Sequence, residues 1–380
     1  MNSLHRMMAA IRGEPFDVYP YVNPYPSWSM MPHWPELLGV TFLHESHGSD
    51  ELRLRCLETC YSKVGLDWIS IPDGPAGQDK RFRIETDMGL PVLVDKTTGT
   101  KKRYDELPRY EPPSKPKFNS AGEVTSLPPP PTADEIVAGD TLDMAKKVVN
   151  QFGESVFLFD GNSAPFARCY YDLGFEKLFD ALVFDHDLLF ALLEYHTELL
   201  IQRAKALAHI GVHSMRFHEF FCSAEMLSEQ DYIRFAFPYE QKLLHALREE
   251  GLISILEFLG SVEPRLPHIA RLEPDCLQTE SSLKGYQNEV ATFRRVLGDS
   301  VCIFGNSPIL QVIEQGTRED WLRDALEQAR GIGKEQRFVI CAGSPTTWAT
   351  SPDRLRRFGE STRGVLAEIA PPRNGRHPNG

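Results

Sequence analysis

No stretch of this chain stays apolar for the roughly 20 residues that a membrane-spanning helix needs. The opening Met1-Asn-Ser-Leu-His-Arg-Met-Met8 lacks the apolar core of a secretory signal. Basic charge is short: 41 Lys and Arg stand against 53 Asp and Glu, a net charge of −12. No surplus exists to neutralise phosphates, which excludes a general nucleic-acid-binding role. Cysteine is sparse and odd in number, seven scattered residues, which suits a reducing cytosol better than a disulfide framework. There is no solenoid-like repeat, and no Gly-rich nucleotide loop follows the first strand. These absences describe an expected cytoplasmic protein that neither enters a membrane nor binds nucleic acid.

What is present is a regular alternation. Short apolar runs bounded by turn signals read as strands buried on both faces. They occur at 16–23, 68–73, 156–160, 214–219, 252–259, 276–280, 301–304 and 338–341. Amphipathic stretches separate nearly all of them, at 140–152, 165–183, 186–210, 229–250, 283–298, 318–332 and 352–369. Strands alternating with helices imply parallel pairing with crossovers. Eight such units predict an α/β fold, a closed (β/α)8 barrel spanning residues 1–380 as one domain. Residues 78–135 stand apart as an insertion. They combine hairpin strands, with turns at Met88-Gly89 and Thr98-Gly99, and a proline-dense covering arm.

The strand 252–259 carries the sharpest signal. Gly251-Leu-Ile-Ser-Ile-Leu-Glu-Phe-Leu-Gly260 is apolar except for Ser254 and Glu257, and a carboxylate at the end of a buried strand needs a partner or a function. In such barrels the chemistry sits at the C-terminal strand ends. Those positions hold Tyr21 and Asn23, Asp73, Asp160 and Asn162, His218 and Glu219, Glu257, Glu280, Asn306 and Cys341. Each has a plainer reading alone: Asn306 as a turn former, Asp160 as a helix cap, Cys341 as a small buried hydrophobe. As a ring they predict a site.

Two chemistries suit that ring. Glu257, His218, Glu219 and Asp160 are candidate general acids and bases with pKa values shifted by a secluded pocket. Alternatively Glu257, Glu280 and Cys341 are candidate ligands of a catalytic zinc. Tyr21, Asn162 and Asn306, with Trp28 and His33 in an aromatic and histidine-rich loop after the first strand, are candidate substrate contacts. That loop has the composition of a lid over an aromatic substrate, or of a packing arm. Cys56 and Cys60, one helical turn apart, read as core.

Several segments resemble one family. Cys302-Ile-Phe-Gly-Asn-Ser-Pro308 followed by Gly316-Thr317-Arg318-Glu319 is similar to its G-N-x-x-P…G-T-x-E-E-V segment. Thr350-Ser-Pro-Asp-Arg-Leu355 is similar to its T-P-x-E-N helix start after the eighth strand. Ser228-Glu-Gln-Asp-Tyr-Ile-Arg-Phe-Ala-Phe-Pro-Tyr239 resembles its S-P-E-x-F-R-E-F-x-x-P-Y helix. This is the uroporphyrinogen decarboxylase superfamily, and the match covers about residues 155–368.

The resemblance implies a single (β/α)8 barrel and narrows the activity. True uroporphyrinogen decarboxylases hold propionates with an Arg-Gln-Ala-Gly-Arg segment after the first strand. Here no arginine lies between Arg12 and Arg53. The corrinoid-dependent methyltransferase branch holds zinc with His-x-Cys at the end of the fifth strand and a Cys after the eighth. Here those positions read Glu257-Phe258-Leu259 and fall near Ser344, with Cys341 three residues earlier.

The expectation is therefore a methyltransferase that moves a methyl group from a small donor, such as a methoxy-aromatic, to cobalamin on a separate corrinoid carrier protein. The chain has no Asp-x-His-x-x-Gly signature of its own for that cofactor. A decarboxylase acting on a smaller acid is the alternative. It needs two of Arg81, Arg83, Arg168 and Arg216 in the barrel mouth. A non-catalytic member is the third reading, and a homodimer is compatible with all three.

Overall fold

The computed structural model describes residues 1–282, 285–343 and 346–372. Its eight parallel strands are β1 (Tyr21–Val22), β2 (Trp68–Ser70), β3 (Phe157–Ser163), β4 (Ser214–Glu219), β5 (Ile253–Phe258), β6 (Cys276–Thr279), β7 (Cys302–Phe304) and β8 (Phe338–Cys341). They pair in the order β1-β8-β7-β6-β5-β4-β3-β2. Across the remaining seam the Asp67 N–H donates to the Tyr21 carbonyl at 2.9 Å. The expected (β/α)8 barrel is formed.

Helices follow the strands as α1 (Asp50–Val64), α2 (Asp143–Phe152), α3 (His186–Ile210), α4 (Phe237–Glu249), α5 (Leu266–Leu272), α6 (Val290–Leu297), α7 (Arg318–Ala329) and α8 (Pro352–Ile369). Local chemistry sets their ends. Ser49 accepts from the Leu52 N–H to start α1, and Thr317 and Asp320 cap α7 reciprocally. Gly251, at φ +70°, turns the chain from α4 into β5. Every residue of β5 is buried, as its near-continuous apolar run requires.

Three features differ from the sequence reading or add to it. A helix at Ser3–Arg12 precedes the first strand and packs against β2, β3, β7 and β8. Its Arg6 reaches the Asp67 carboxylate at 2.6 Å, which also accepts from the Tyr21 N–H at 2.8 Å and from Arg363 of α8. Asp67 thus ties the barrel seam to both chain ends. The lid segment is not an open loop but a run of short helices at 26–38 and 43–47, anchored by Trp34, which is fully buried and donates to Glu45 at 3.0 Å.

The insertion holds a three-stranded antiparallel sheet of Phe82–Asp87, Leu90–Asp95 and Lys101–Arg103. Its first turn is the two residues Met88 and Gly89, both at positive φ (48° and 83°). That turn twists in the sense the hairpin needs.

Candidate active site

Strand register decides which strand-end side chains meet. Residues paired across parallel strands face the same side of the sheet, and successive residues face opposite sides. The register aligns Ser163 of β3 with His218 of β4, Glu257 of β5 and Gln278 of β6. This layer faces the barrel interior. The His218 Nε2 and Ser163 Oγ are 3.0 Å apart, and Gln278 Nε2 donates to Glu257 Oε1 at 3.3 Å. Arg216, two residues before His218, points the same way, and its Nη1 lies 3.7 Å from Glu257 Oε2. From the lid segment Tyr25 drops in and donates its hydroxyl to Glu257 Oε2 at 3.1 Å.

Arg216 is the cation of this interior. It donates to the Pro24 carbonyl at 2.8 Å, and its guanidinium lies 4.7 Å from the Tyr25 ring centre and 5.2 Å from that of Phe159. Glu257 is 1% exposed. Burial raises its pKa, while the Arg216 charge and the Tyr25 hydrogen bond pull it back down. Burial, with the Arg216 and Arg168 charges, lowers His218 to about 3, so its imidazole is neutral. His218 Nδ1 is 4.0 Å from Glu257 Oε2 and has no hydrogen-bond partner. The interior therefore combines a carboxyl group biased toward its protonated form, an unpaired imidazole nitrogen and a phenol.

The other candidates lie elsewhere. Tyr21, Asp160, Asn162 and Glu219 sit at the opposite parity and face the outer helices. The Tyr21 ring packs against Gly359 of α8, and its hydroxyl donates to the Leu355 carbonyl. Asp160 is paired with Arg203 of α3 at 2.8 Å and accepts from Asn162 at 2.6 Å. Asn162 in turn accepts from Arg168 at 3.0 Å. Glu219 points toward Glu240 of α4. A carboxylate held by Arg203 and Asn162 serves the wall of the barrel, and the structure places all four expected groups in that wall and not beside Glu257.

Asn306 is buried and donates to the Asn288 carbonyl at 2.6 Å and to the Glu280 carbonyl at 3.2 Å, which ties the loops after β6 and β7 together. Trp28 packs against Trp348 with ring centres 5.0 Å apart and planes tilted by 33°. His33 is half-buried, with Nε2 unpaired.

The expected zinc set does not converge. Glu280 Oε1 accepts from the Gly260 N–H at 2.7 Å and from the Tyr286 hydroxyl. Cys341 is buried, and burial pushes its thiol up. Among the described residues, Glu257, Glu280 and Cys341 do not bring three ligand atoms within 4.8 Å of one another. A guanidinium already stands beside Glu257, and the next two residues, Phe258 and Leu259, offer no donor side chain. These residues do not fit a zinc ion at Glu257. Ser344 lies outside the described residues.

Of the four arginines weighed for a carboxylate clamp, Arg216 alone faces the interior. Arg168 is turned toward Asn162 and His196. Arg81 and Arg83 pair with Asp95 and Glu85 on the hairpin.

A cavity of about 500 Å³ opens beside the end of β2, between the lid segment, the start of α1 and the insertion. Ser27, Phe42, His47, Arg53, Ile71 and Tyr104 are in its wall. Tyr25 and Arg216, which complete the interior, are not strand-end residues. The signal for Arg216 was present, a cation between Met215 and Phe217 in an apolar strand body.

A family model described as uroporphyrinogen decarboxylase (URO-D) matches residues 2–365. The chain is 19% identical over 319 residues to the methylcobamide:CoM methyltransferase MtbA of Methanosarcina mazei, covering 83% of this chain and 85% of that relative. It shares its fold with a solved methyltransferase from Methanosarcina mazei. The TM-score is 0.71 at 17% identity, over 97% of this chain and 100% of the other.

Proposed function

The chain belongs to the uroporphyrinogen decarboxylase family, and from that footing we propose that it is a methyltransferase passing a methyl group from a small methylated donor to a corrinoid carrier protein. The observation that carries this reading is the Glu257 constellation at the C-terminal end of the barrel, and similarity to the methylcobamide:CoM methyltransferase MtbA supports the methyltransferase class. A methyl group bound to oxygen or nitrogen transfers poorly, because the heteroatom leaves as an unstable anion. Protonating that atom as the bond to carbon breaks removes the difficulty. Glu257 is the proton source in this account. Burial favours its acid form, and it gives its proton to the donor heteroatom while the methyl group goes to the carrier.

His218, neutral and fixed through Nε2 by Ser163, offers Nδ1 to orient the donor. Arg216 stabilises the carboxylate that forms when the proton leaves. Tyr25 hydrogen-bonds the same oxygen and comes from the lid, so lid position and acidity of Glu257 are linked. Donor entry requires the Tyr25–Trp28 segment to lift, because Glu257 has almost no exposed surface. Zinc has no part in this account of Glu257.

Decarboxylation is disfavoured, because holding a substrate carboxylate calls for two of the four arginines in the interior and Arg216 alone is there. A methoxy-aromatic donor suits the Trp28–Trp348 pair. The test is methyl transfer from methoxy-aromatics and methylamines to a cob(I)alamin acceptor, followed by absorbance. Turnover with at least one donor is expected. Background rates with every donor would refute the proposal.

A further inference from the structure

Outside the interior, on the helix-facing side of β4, a second polar cluster is sealed in the barrel wall. Glu219 ends β4, Cys222 follows three residues later, and Glu240 comes from the first turn of α4. None of the three exposes surface. Glu219, Cys222 and Glu240 each place a ligand atom within 4.8 Å of the other two.

The second observation concerns hydrogen bonding. Glu219 Oε1 accepts from the Phe221 N–H at 3.3 Å, and Glu240 Oε2 accepts from the Tyr232 hydroxyl at 2.7 Å. Glu219 Oε2 and Glu240 Oε1 are buried without any partner. A buried carboxylate oxygen with no donor is unfavourable unless a cation or a proton occupies it. Donors outside the cluster orient both glutamates, the Phe221 and Ala167 N–H groups for Glu219 and the Tyr232 hydroxyl for Glu240, as outer groups orient the ligands of a metal. The Cys222 thiol interacts with Glu219 inside the cluster, and Glu240 Oε1 keeps no partner.

A buried arginine stands beside the cluster. Buried Arg265 lies over the Tyr232 ring at 5.1 Å and donates to the Cys222 carbonyl at 2.9 Å and to the Leu227 carbonyl. Once deprotonated onto a divalent cation, the two carboxylates and the thiolate carry three negative charges, which the cation and Arg265 together offset. Among the described residues Arg265 forms no ion pair with either glutamate, unlike Arg216 with Glu257. One sulfur and two oxygen donors suit zinc.

We propose that Glu219, Cys222 and Glu240 bind one Zn²⁺ in the wall of the barrel. The ion is structural. It ties the end of β4 to α4, and so fixes the strand end that presents His218 to the interior. The site is separate from Glu257 and does not depend on the methyl-transfer reading.

The test is elemental analysis of the whole purified chain, wild type and variants, after growth with added zinc. One zinc per chain is expected, lost in Cys222→Ser and Glu240→Gln and retained in Glu257→Gln. Chelation is expected to lower the wild-type melting temperature by several degrees. Cobalt substitution of the wild type checks the ligand set without a variant that has to fold. A near-ultraviolet sulfur-to-cobalt charge-transfer band is expected. A wild-type chain that takes up neither zinc nor cobalt on dialysis overturns the proposal and leaves the two glutamates sharing a proton. Zinc lost in Glu257→Gln but kept in Cys222→Ser also overturns it.

Discussion

Arg216 Nη1 stands 3.7 Å from Glu257 Oε2 inside the barrel, and both side chains are nearly sealed from water. In that setting each charge depends on the other. Desolvation makes a lone buried ion costly, and mutual attraction is what keeps the carboxylate within reach of its ionised form. A pair of this kind lets one glutamate work as an acid and still be stabilised once its proton has gone.

Removing the cation tests that dependence. Arg216→Met is expected to cost about 3 kcal/mol in urea unfolding, because Glu257 is left buried without its counter-charge. Adding Glu257→Gln to Arg216→Met is expected to restore much of the loss. Equal instability of the single and double variants would contradict the pairing.

Tyr25 sets the acidity of Glu257 through its hydrogen bond to the carboxylate. Hydrogen bonding to the charged form lowers a carboxyl pKa, so Tyr25→Phe raises it. Methyl transfer driven by the protonated acid falls as pH rises through the Glu257 pKa. In Tyr25→Phe the alkaline limb of the pH–rate profile is expected to move up by about one pH unit.

The outward-facing groups are expected to affect stability and not chemistry. Tyr21→Phe loses the hydrogen bond to Leu355 and costs about 1 kcal/mol. Asp160→Asn weakens the pairing with Arg203 and costs about 2 kcal/mol. Thermal unfolding checks both. A large loss of kcat in a variant that stays folded would return that residue to the site.

Asp324 gives a pH test of the fold. Burial raises its pKa to about 6, against hydrogen bonds from Ser307 and Gln328 that lower it. A carboxyl group whose folded pKa is raised contributes stability below its unfolded pKa and loses it as pH rises through the folded value. Asp324→Asn is therefore expected to change stability little at pH 4 and to raise it by about 3 kcal/mol at pH 8. Unfolding at the two pH values checks this.

Strands were legible because their bodies are short apolar runs ended by turn residues, as Ile253–Phe258 between Gly251 and Gly260 illustrates. The polar ends were legible as positions but not as a set. His218 and Glu219 are neighbours on one strand, so a period of two forces them to opposite faces. Applied to Asp160 through Asn162, the same rule separates both from the layer of Ser163. Tyr25 could not be placed from sequence, because its approach depends on how the short helices of 26–47 fold back over the barrel. The link from Glu219 to Glu240 joins a strand end to a helix 21 residues later, a spacing that matches no local motif.

The central claim is that Glu257 supplies the proton for methyl transfer. The direct measurement is the turnover of Glu257→Gln beside wild type, with the best donor and cob(I)alamin, at temperatures where both are folded. Glutamine keeps the shape and the hydrogen-bond acceptor but has no proton of carboxylic acidity to give. A loss of about 100-fold or more in kcat with an intact fold is predicted. Unchanged turnover in Glu257→Gln would contradict the account.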